Sequence, residues 1–261
     1  LARAHGAGLG IEASVAGGIP ILRALRESFV ADRLESVSGI LNGTCNYILT
    51  EMEASGRAYA DILADAQRLG YAEADPESDV GGADAGYKLT LLSRMAFGQE
   101  VRFEEIEREG ITRLLPCDFV YARQLGRAIR QLAVARRLPD GRLLLSVRTH
   151  LVDGASILAK VLGPFNAVRV SGQAGGEFVF YGRGAGGDPT ATAVLSDVLE
   201  IARSGARPGI PPLAFFDLAP SRVAGPDEFI ARFYLRFVVR DQPGIIASIS
   251  RCLADCDINI D

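Results

Sequence analysis

The sequence predicts an α+β chain with a small additional unit towards its C-terminal end. Three observations point there. From Ala83 to Phe97 the apolar residues recur at three and four, the mark of a core helix. The second half carries shorter runs with strand patterning, Leu143 to Leu151, Ala167 to Ser171 and Glu177 to Tyr181. Ser204 to Asp227 has no periodicity and is crowded with proline and glycine, which marks off the last residues as a separate unit. Helices predominate in the first half and the second half turns to sheet, which describes α+β.

Taken in order, LARAHGAGLG looks like the last turn of a helix closed by Gly6 or Gly8, so residues 1–8 are expected to be the tail of a preceding domain. Leu9 to Val15 reads as a strand ended by Gly17-Gly18, and Pro20 opens a helix over Ile21 to Phe29 from a first-turn position. Arg33 to Leu41 is a second strand, and Asn42-Gly43-Thr44 supplies a turn or N-cap ahead of a helix over Asn46 to Ala54. Asp61 to Leu69 is a short helix ended by Gly70. An acidic, glycine-flanked loop, Tyr71 to Gly82, leads into the core helix. A long helix is expected from Phe119 to Arg137, with Phe119, Ala122, Leu125, Ile129 and Leu132 as its apolar stripe. Two strands meet across Gly172 to Gly176, and a helix over Pro189 to Ala202 closes the domain at about residue 204. Residues 205–228 form a linker or a loop draped on the surface. In the last unit, Phe229 to Val239 is a strand, Asp241 to Gly244 a turn, Ile245 to Ala254 a helix, and Ile258 to Ile260 the start of another strand.

Composition narrows the function classes. With a net charge of −4 and no basic cluster interleaved with aromatics, there is no footprint for nucleic acid or an anionic membrane, and a small charged metabolite is the expected partner. No apolar run reaches the ~18 residues of a membrane span. Cys45, Cys117, Cys252 and Cys256 are too few and too irregular for a disulfide framework, so the cytoplasm is the expected compartment. His5 and His150 lack metal-ligand spacing.

One residue stands out against this background. The chain has 26 arginines and only two lysines, Lys88 and Lys160, and a lysine kept against that bias needs a reason. An ammonium can lose its proton once desolvated, whereas a guanidinium stays charged. Asp84 lies four residues earlier, on the same helical face and in the first turn, where the helix dipole favours a carboxylate. As an isolated surface pair the two would contribute only ~0.3–0.5 kcal/mol. Glu73, Asp75 and Asp79 crowd the preceding loop, however, and clustered carboxylates repel unless a cation sits among them. That cation is either Lys88 or an ammonium group on a substrate.

Four segments, EASVAGGIP (Glu12 to Pro20), GILNGTCNYILTEM (Gly39 to Met52), LGYAEADPESDV (Leu69 to Val80) and GADAGYKL (Gly82 to Leu89), resemble in order and spacing the catalytic domain of homoserine dehydrogenase. The resemblance covers roughly residues 1–204. It implies a mixed sheet with helices packed on one face, a homodimer, and NAD(P)H-dependent reduction of L-aspartate 4-semialdehyde to L-homoserine, a step towards threonine, methionine and isoleucine. It implies Lys88 as general acid, Glu73 and Asp84 on the substrate, and Asp79 as their supporting neighbour. It further implies a monovalent cation, sodium, on the main-chain carbonyls of Glu12, Val15, Gly17 and Ile19. Gly182 to Gly187 fits GxGxxG but lacks the following strand and acid of a dinucleotide fingerprint. By resemblance it instead folds back on NADP or NAD, giving Gly186, with Gly70, a cofactor contact.

The family's nucleotide-binding domain, and a second lysine placed near its substrate, are not in this sequence. FYLRFVVRDQPGIIASISRCLADCDINID resembles the first part of an ACT domain, a truncated ferredoxin-like βαβ unit over residues 229–261, which implies an amino-acid effector. Two other readings remain. One is a non-catalytic amino-acid sensor. The other is a different semialdehyde or imine reductase, which would lack NGTCNYI and EADP together.

Overall fold

In the computed structural model, which describes residues 5, 7–203, 218–225, 228 and 230–260, strand β1 (Leu34–Ile40) runs through the middle of a six-stranded sheet. A two-stranded parallel ribbon joins β2 (Gln99–Glu100) to β8 (Ala219–Pro220), and β3 (Glu107–Arg108) lies parallel to β5 (Leu143–Asp153) at the sheet edge. The long strand β4 (Arg127–Arg137) pairs antiparallel with both β1 and β5. On the other side, β6 (Phe165–Gly172) pairs with β1, and β7 (Gly176–Arg183) with β6. The resulting order, β3-β5-β4-β1-β6-β7, is a mixed sheet.

Alternation along the strands decides where the helices go. Val37, Ala133, Ala135, Leu145, Val147, Val168 and Val170 point to one face and pack with Leu22 and Leu25 of α1 (Ile21–Glu27) and Leu89 and Leu92 of α5 (Ala83–Phe97). Ile129 shares that face and meets Ile48, Leu49 and Met52 of α2 (Gly43–Ser55), Ile62 of α3 (Tyr59–Arg68) and Phe119 of α6 (Pro116–Gln124). On the opposite face Ala128, Leu132, Val152 and Ala167 are covered by the 3₁₀ turn Ile157–Lys160. The expected mixed sheet with helices on one face is therefore present. The one-turn helix α4 (Glu77–Val80) sits within the acidic loop, and α7 (Gly187–Arg203) follows β7.

Three expectations fail. The long helix over Phe119 to Arg137 is instead α6, a reversal at Gly126 with φ of +66°, and β4. Ile129 and Leu132 belong to opposite faces of a strand buried on both sides, where continuous burial erases the period of two that would have betrayed it. Leu125, the middle of the supposed stripe, is exposed. Leu9 to Val15 is not a strand but a bend containing the 3₁₀ turn Glu12–Ser14. The Glu12 main-chain N–H donates to Asp197 Oδ2 at 2.9 Å in place of a strand partner.

The third concerns the C-terminal unit, Ile230 to Asp261. Of the ferredoxin-like βαβ pattern only the helix forms, α8 (Ile245–Asp255), following Gly244 at φ of +88°. Among the described residues neither Ile230 to Val239 nor Ile258 to Ile260 forms a strand. Of the two connecting segments, residues 1–8 lie outside the described residues except 5, 7 and 8, and so do 205–217 and 226–227 of the linker. Its described part runs along the edge of the main unit, with Ala219 N–H donating to Gly98 O at 2.9 Å and Val223 bridging Leu143.

Candidate active site

The site is built where β1 gives way to α2. Asn42 caps that helix, its Oδ1 accepting from Cys45 N–H at 2.8 Å. Its Nδ2 donates to Asp79 Oδ1 at 2.7 Å and to Asp84 Oδ2 at 2.9 Å. Gly82, at φ of +85°, turns the chain into α5, so that Asp84 lies in the first turn and Lys88 one turn further on. Lys88 Nζ donates to Asp84 Oδ2 at 2.6 Å and to the Leu41 carbonyl at 3.0 Å. The two side chains are 21% and 29% exposed, neither out in solvent nor sealed from it. An ammonium has three donors, so one N–H of Lys88 is not committed by these two bonds. Asp79 Oδ2 and Asp84 Oδ1 likewise accept nothing among the described residues.

Leu41 carries more than its side chain suggests, because its carbonyl also accepts from Asn166 Nδ2 at 2.9 Å. Cys45 lies beneath the carboxylates and donates its thiol to Asp79 O at 3.2 Å. Burial first, and then the charges of Asp79 and Asp84, push that thiol well above the usual cysteine range, so it stays protonated and is no nucleophile. Glu73 is placed differently from the other acids. Its main-chain carbonyl accepts from Gln67 Nε2 at 3.0 Å, while its side chain is exposed and makes no hydrogen bond to Lys88 or Asp84. The loop carrying Glu73 and Gly70 is tied to the start of α2 by Thr44 Oγ1, which donates to Tyr71 O at 2.7 Å, and by the Tyr47 and Tyr71 rings 4.6 Å apart. Gly70 has φ of +78°, and an added Cβ there would meet nothing within 4 Å.

The two glycine turns singled out in the sequence touch each other. Gly18 N–H donates to Arg183 O at 3.2 Å, and a Cβ on Gly17 would fall 2.5 Å from Gly184 O. A Cβ on Gly184 would in turn fall 2.1 Å from Asn166 Cγ, which links this turn to the Leu41 carbonyl. Gly186 has φ of +120°, a backbone open to glycine, and the space beside Gly187 is free. Of the four proposed cation ligands, the Glu12 carbonyl accepts from Val15 N–H at 3.5 Å and that of Ile19 from Ile21 N–H at 2.8 Å. The carbonyls of the buried residues Val15 and Gly17 accept no hydrogen bond from the described residues. The Glu12 side chain acts elsewhere. Its two carboxylate oxygens accept from Leu22 N–H at 2.9 Å and Arg23 N–H at 2.8 Å and close the first turn of α1. Burial pushes its carboxyl above the usual carboxylate range, offset in part by those two N–H groups.

Lys88, Asp84 and Asp79 are thus brought together and Glu73 stands apart. The sequence marked Asn42 only as a turn or cap, and nothing in it marked the Leu41 carbonyl, Asn166 or the carboxylate of Glu12.

The comparisons with known proteins agree on one family. The homoserine dehydrogenase family model matches residues 20–199. A homoserine dehydrogenase of Neisseria gonorrhoeae is 44% identical over 255 residues, which is 96% of this chain and 58% of that protein. One from Pseudomonas aeruginosa is 42% identical over 265 residues, 100% of this chain and 61% of its own length. The crystal structure of a homoserine dehydrogenase from Thiobacillus denitrificans superposes with a TM-score of 0.88 at 43% identity, covering 99% of this chain and 61% of that one. A hyperthermophilic archaeal homoserine dehydrogenase in complex with NADPH gives a TM-score of 0.66 at 28% identity, covering 78% and 59%. The chain thus spans about 60% of the length of these relatives.

Proposed function

Because this chain belongs to the homoserine dehydrogenase family, we propose that the protein it forms part of reduces L-aspartate 4-semialdehyde to L-homoserine with NADPH or NADH. The observation that carries the reading is Lys88, held by Asp84 and the Leu41 carbonyl with one N–H to spare, beside two carboxylates that each keep a free oxygen. Reduction of an aldehyde carbon leaves a negative oxygen. Lys88 stabilises that charge through its spare N–H and gives up the proton from Nζ, and in the reverse direction it takes the proton back. The free oxygens of Asp79 and Asp84, with Glu73 from the loop, suit the ammonium of an amino-acid substrate.

The nicotinamide cofactor supplies the hydride when bound. Gly70 and Gly186 are its expected contacts, because both carry a glycine-type backbone and open space lies beside Gly70 and beside Gly187, the neighbour of Gly186. The carbonyls of Glu12, Val15, Gly17 and Ile19 would hold a sodium ion, a role supported by the unpartnered carbonyls of Val15 and Gly17. We further propose that the protein is a cytoplasmic homodimer, in keeping with four free cysteines and the exposed Phe178 and Tyr181 of β7. An amino-acid effector at the ACT-like unit rests on its resemblance alone.

The test is spectrophotometric. The complete protein, given L-homoserine with NADP or NAD, or the semialdehyde with NADPH or NADH, should interconvert the oxidised and reduced nicotinamide forms. Absence of turnover with both cofactors, alongside calorimetric binding of amino acids, would identify a sensor instead.

A further inference from the structure

We infer that Asn42 is a positioning residue for this reaction, holding Asp79 and Asp84 side by side with its single NH₂ group and so setting where Lys88 stands. The inference rests on the function proposed above. Geometry carries it. The side-chain amide of Asn42 is buried and cannot turn over, because Oδ1 is taken by Cys45 N–H at 2.8 Å. A reversed amide would set its NH₂ against that N–H and its oxygen against two carboxylates. With the oxygen fixed, both amide protons must point at the acids, one at Asp79 Oδ1 and one at Asp84 Oδ2. Asp84 Oδ2 is also the oxygen that holds Lys88 Nζ, at 2.6 Å. Lys88 and Asn42 therefore converge on one carboxylate oxygen from two sides, which fixes the Asp84 carboxylate and, with the Leu41 carbonyl, the amine.

Electrostatics gives the bridge its purpose. Two carboxylates drawn towards one substrate ammonium repel each other while the site is empty. A neutral donor shared between them offsets that repulsion without adding a second cation beside Lys88 that would compete with the substrate. The same side chain starts α2, so the acids are referenced to the end of β1 rather than to their own mobile side-chain torsions.

The cap and the bridge can be separated, since serine, aspartate and asparagine cap helices about equally while alanine does not. In the complete protein, Asn42→Ser and Asn42→Asp keep an oxygen for Cys45 N–H and lose the NH₂. Asn42→Ser should melt close to wild type yet lose kcat/KM for homoserine by roughly ten- to hundredfold, the range set by a lost hydrogen bond to a charged group. Asn42→Asp should lose more activity and also melt lower, because it turns an oxygen towards both acids. The KM for the nicotinamide cofactor should not move. Equal activity of wild type, Asn42→Ser and Asn42→Asp, with only Asn42→Ala impaired, would show a cap alone and overturn the inference. A second readout does not depend on turnover. In protein labelled with ¹⁵N at asparagine, the Asn42 side-chain protons should exchange slowly and shift on Asp84→Asn, and fast exchange with no shift also overturns it. A protein inactive on homoserine whose Asn42 amide is nevertheless protected would sink the proposed function and leave the bridge standing.

Discussion

Removing the amine of Lys88 should separate catalysis from stability. In Lys88→Ala the Asp84 carboxylate loses a 2.6 Å ion pair but keeps its 2.9 Å bond from Asn42, and the Leu41 carbonyl keeps its 2.9 Å bond from Asn166. No buried polar group is orphaned. The ion pair is partly exposed at both ends, so its loss should cost only about 0.5 kcal/mol, or a melting point lower by roughly 1–2 °C. Turnover should behave otherwise, because the developing negative oxygen loses both its proton source and its charge partner, worth roughly 10²–10⁴-fold in rate. Lys88→Arg restores the charge without a releasable proton and should remain slow. The assay is steady-state oxidation of homoserine by the complete protein, run beside cofactor binding followed by nicotinamide fluorescence, which should be unchanged. If Lys88→Ala keeps more than about one third of wild-type turnover, where a loss of at least 10² is expected, the amine has no part in proton transfer.

Two further predictions concern the frame. Gly17→Ala adds a Cβ 2.5 Å from the Gly184 carbonyl at a residue with φ of +49°, so the left-handed backbone and the overpacking together should cost about 2–5 kcal/mol in urea unfolding; a loss under about 1 kcal/mol would show that the two glycine turns do not press on each other. Burial lowers the pKa of His150, with its Nδ1 contact to the Arg148 carbonyl only partly opposing. The unfolded chain therefore binds a proton more readily than the folded one, and stability is lost as pH falls through about 6.5 towards the lowered folded value. His150→Gln should flatten that part of the profile of urea midpoints against pH, and an unchanged slope would mean another group produces it.

What was legible in the sequence was local. The core helix was readable because a 3.6-residue period runs unbroken from Ala83 to Phe97, and the i,i+4 spacing of Asp84 and Lys88 follows from that helix alone. The hairpin of β6 and β7 was readable because its glycines sit between two alternating runs. The run from Arg127 to Arg137 was misread, since a strand sandwiched between layers shows no alternation and its identity is fixed by β1 and β5 on either side. The strand expected before the first glycine turn failed for a related reason: a main-chain N–H taken by Asp197, 185 residues away, is unavailable to any ladder.

The candidate site divides along the same line. Residue type and helical spacing in the sequence determined that one titratable amine stands a turn above an acid, with more acids close by in the loop. Only the folded chain decided that Asn42 reaches 37 and 42 residues along the sequence to hold Asp79 and Asp84, that the Leu41 carbonyl faces Lys88, and that Glu73 stays at the rim. The physical reason is range: helical periodicity and capping act over a few residues, whereas a hydrogen bond between distant segments exists only once packing of the sheet and helices has brought their backbones together.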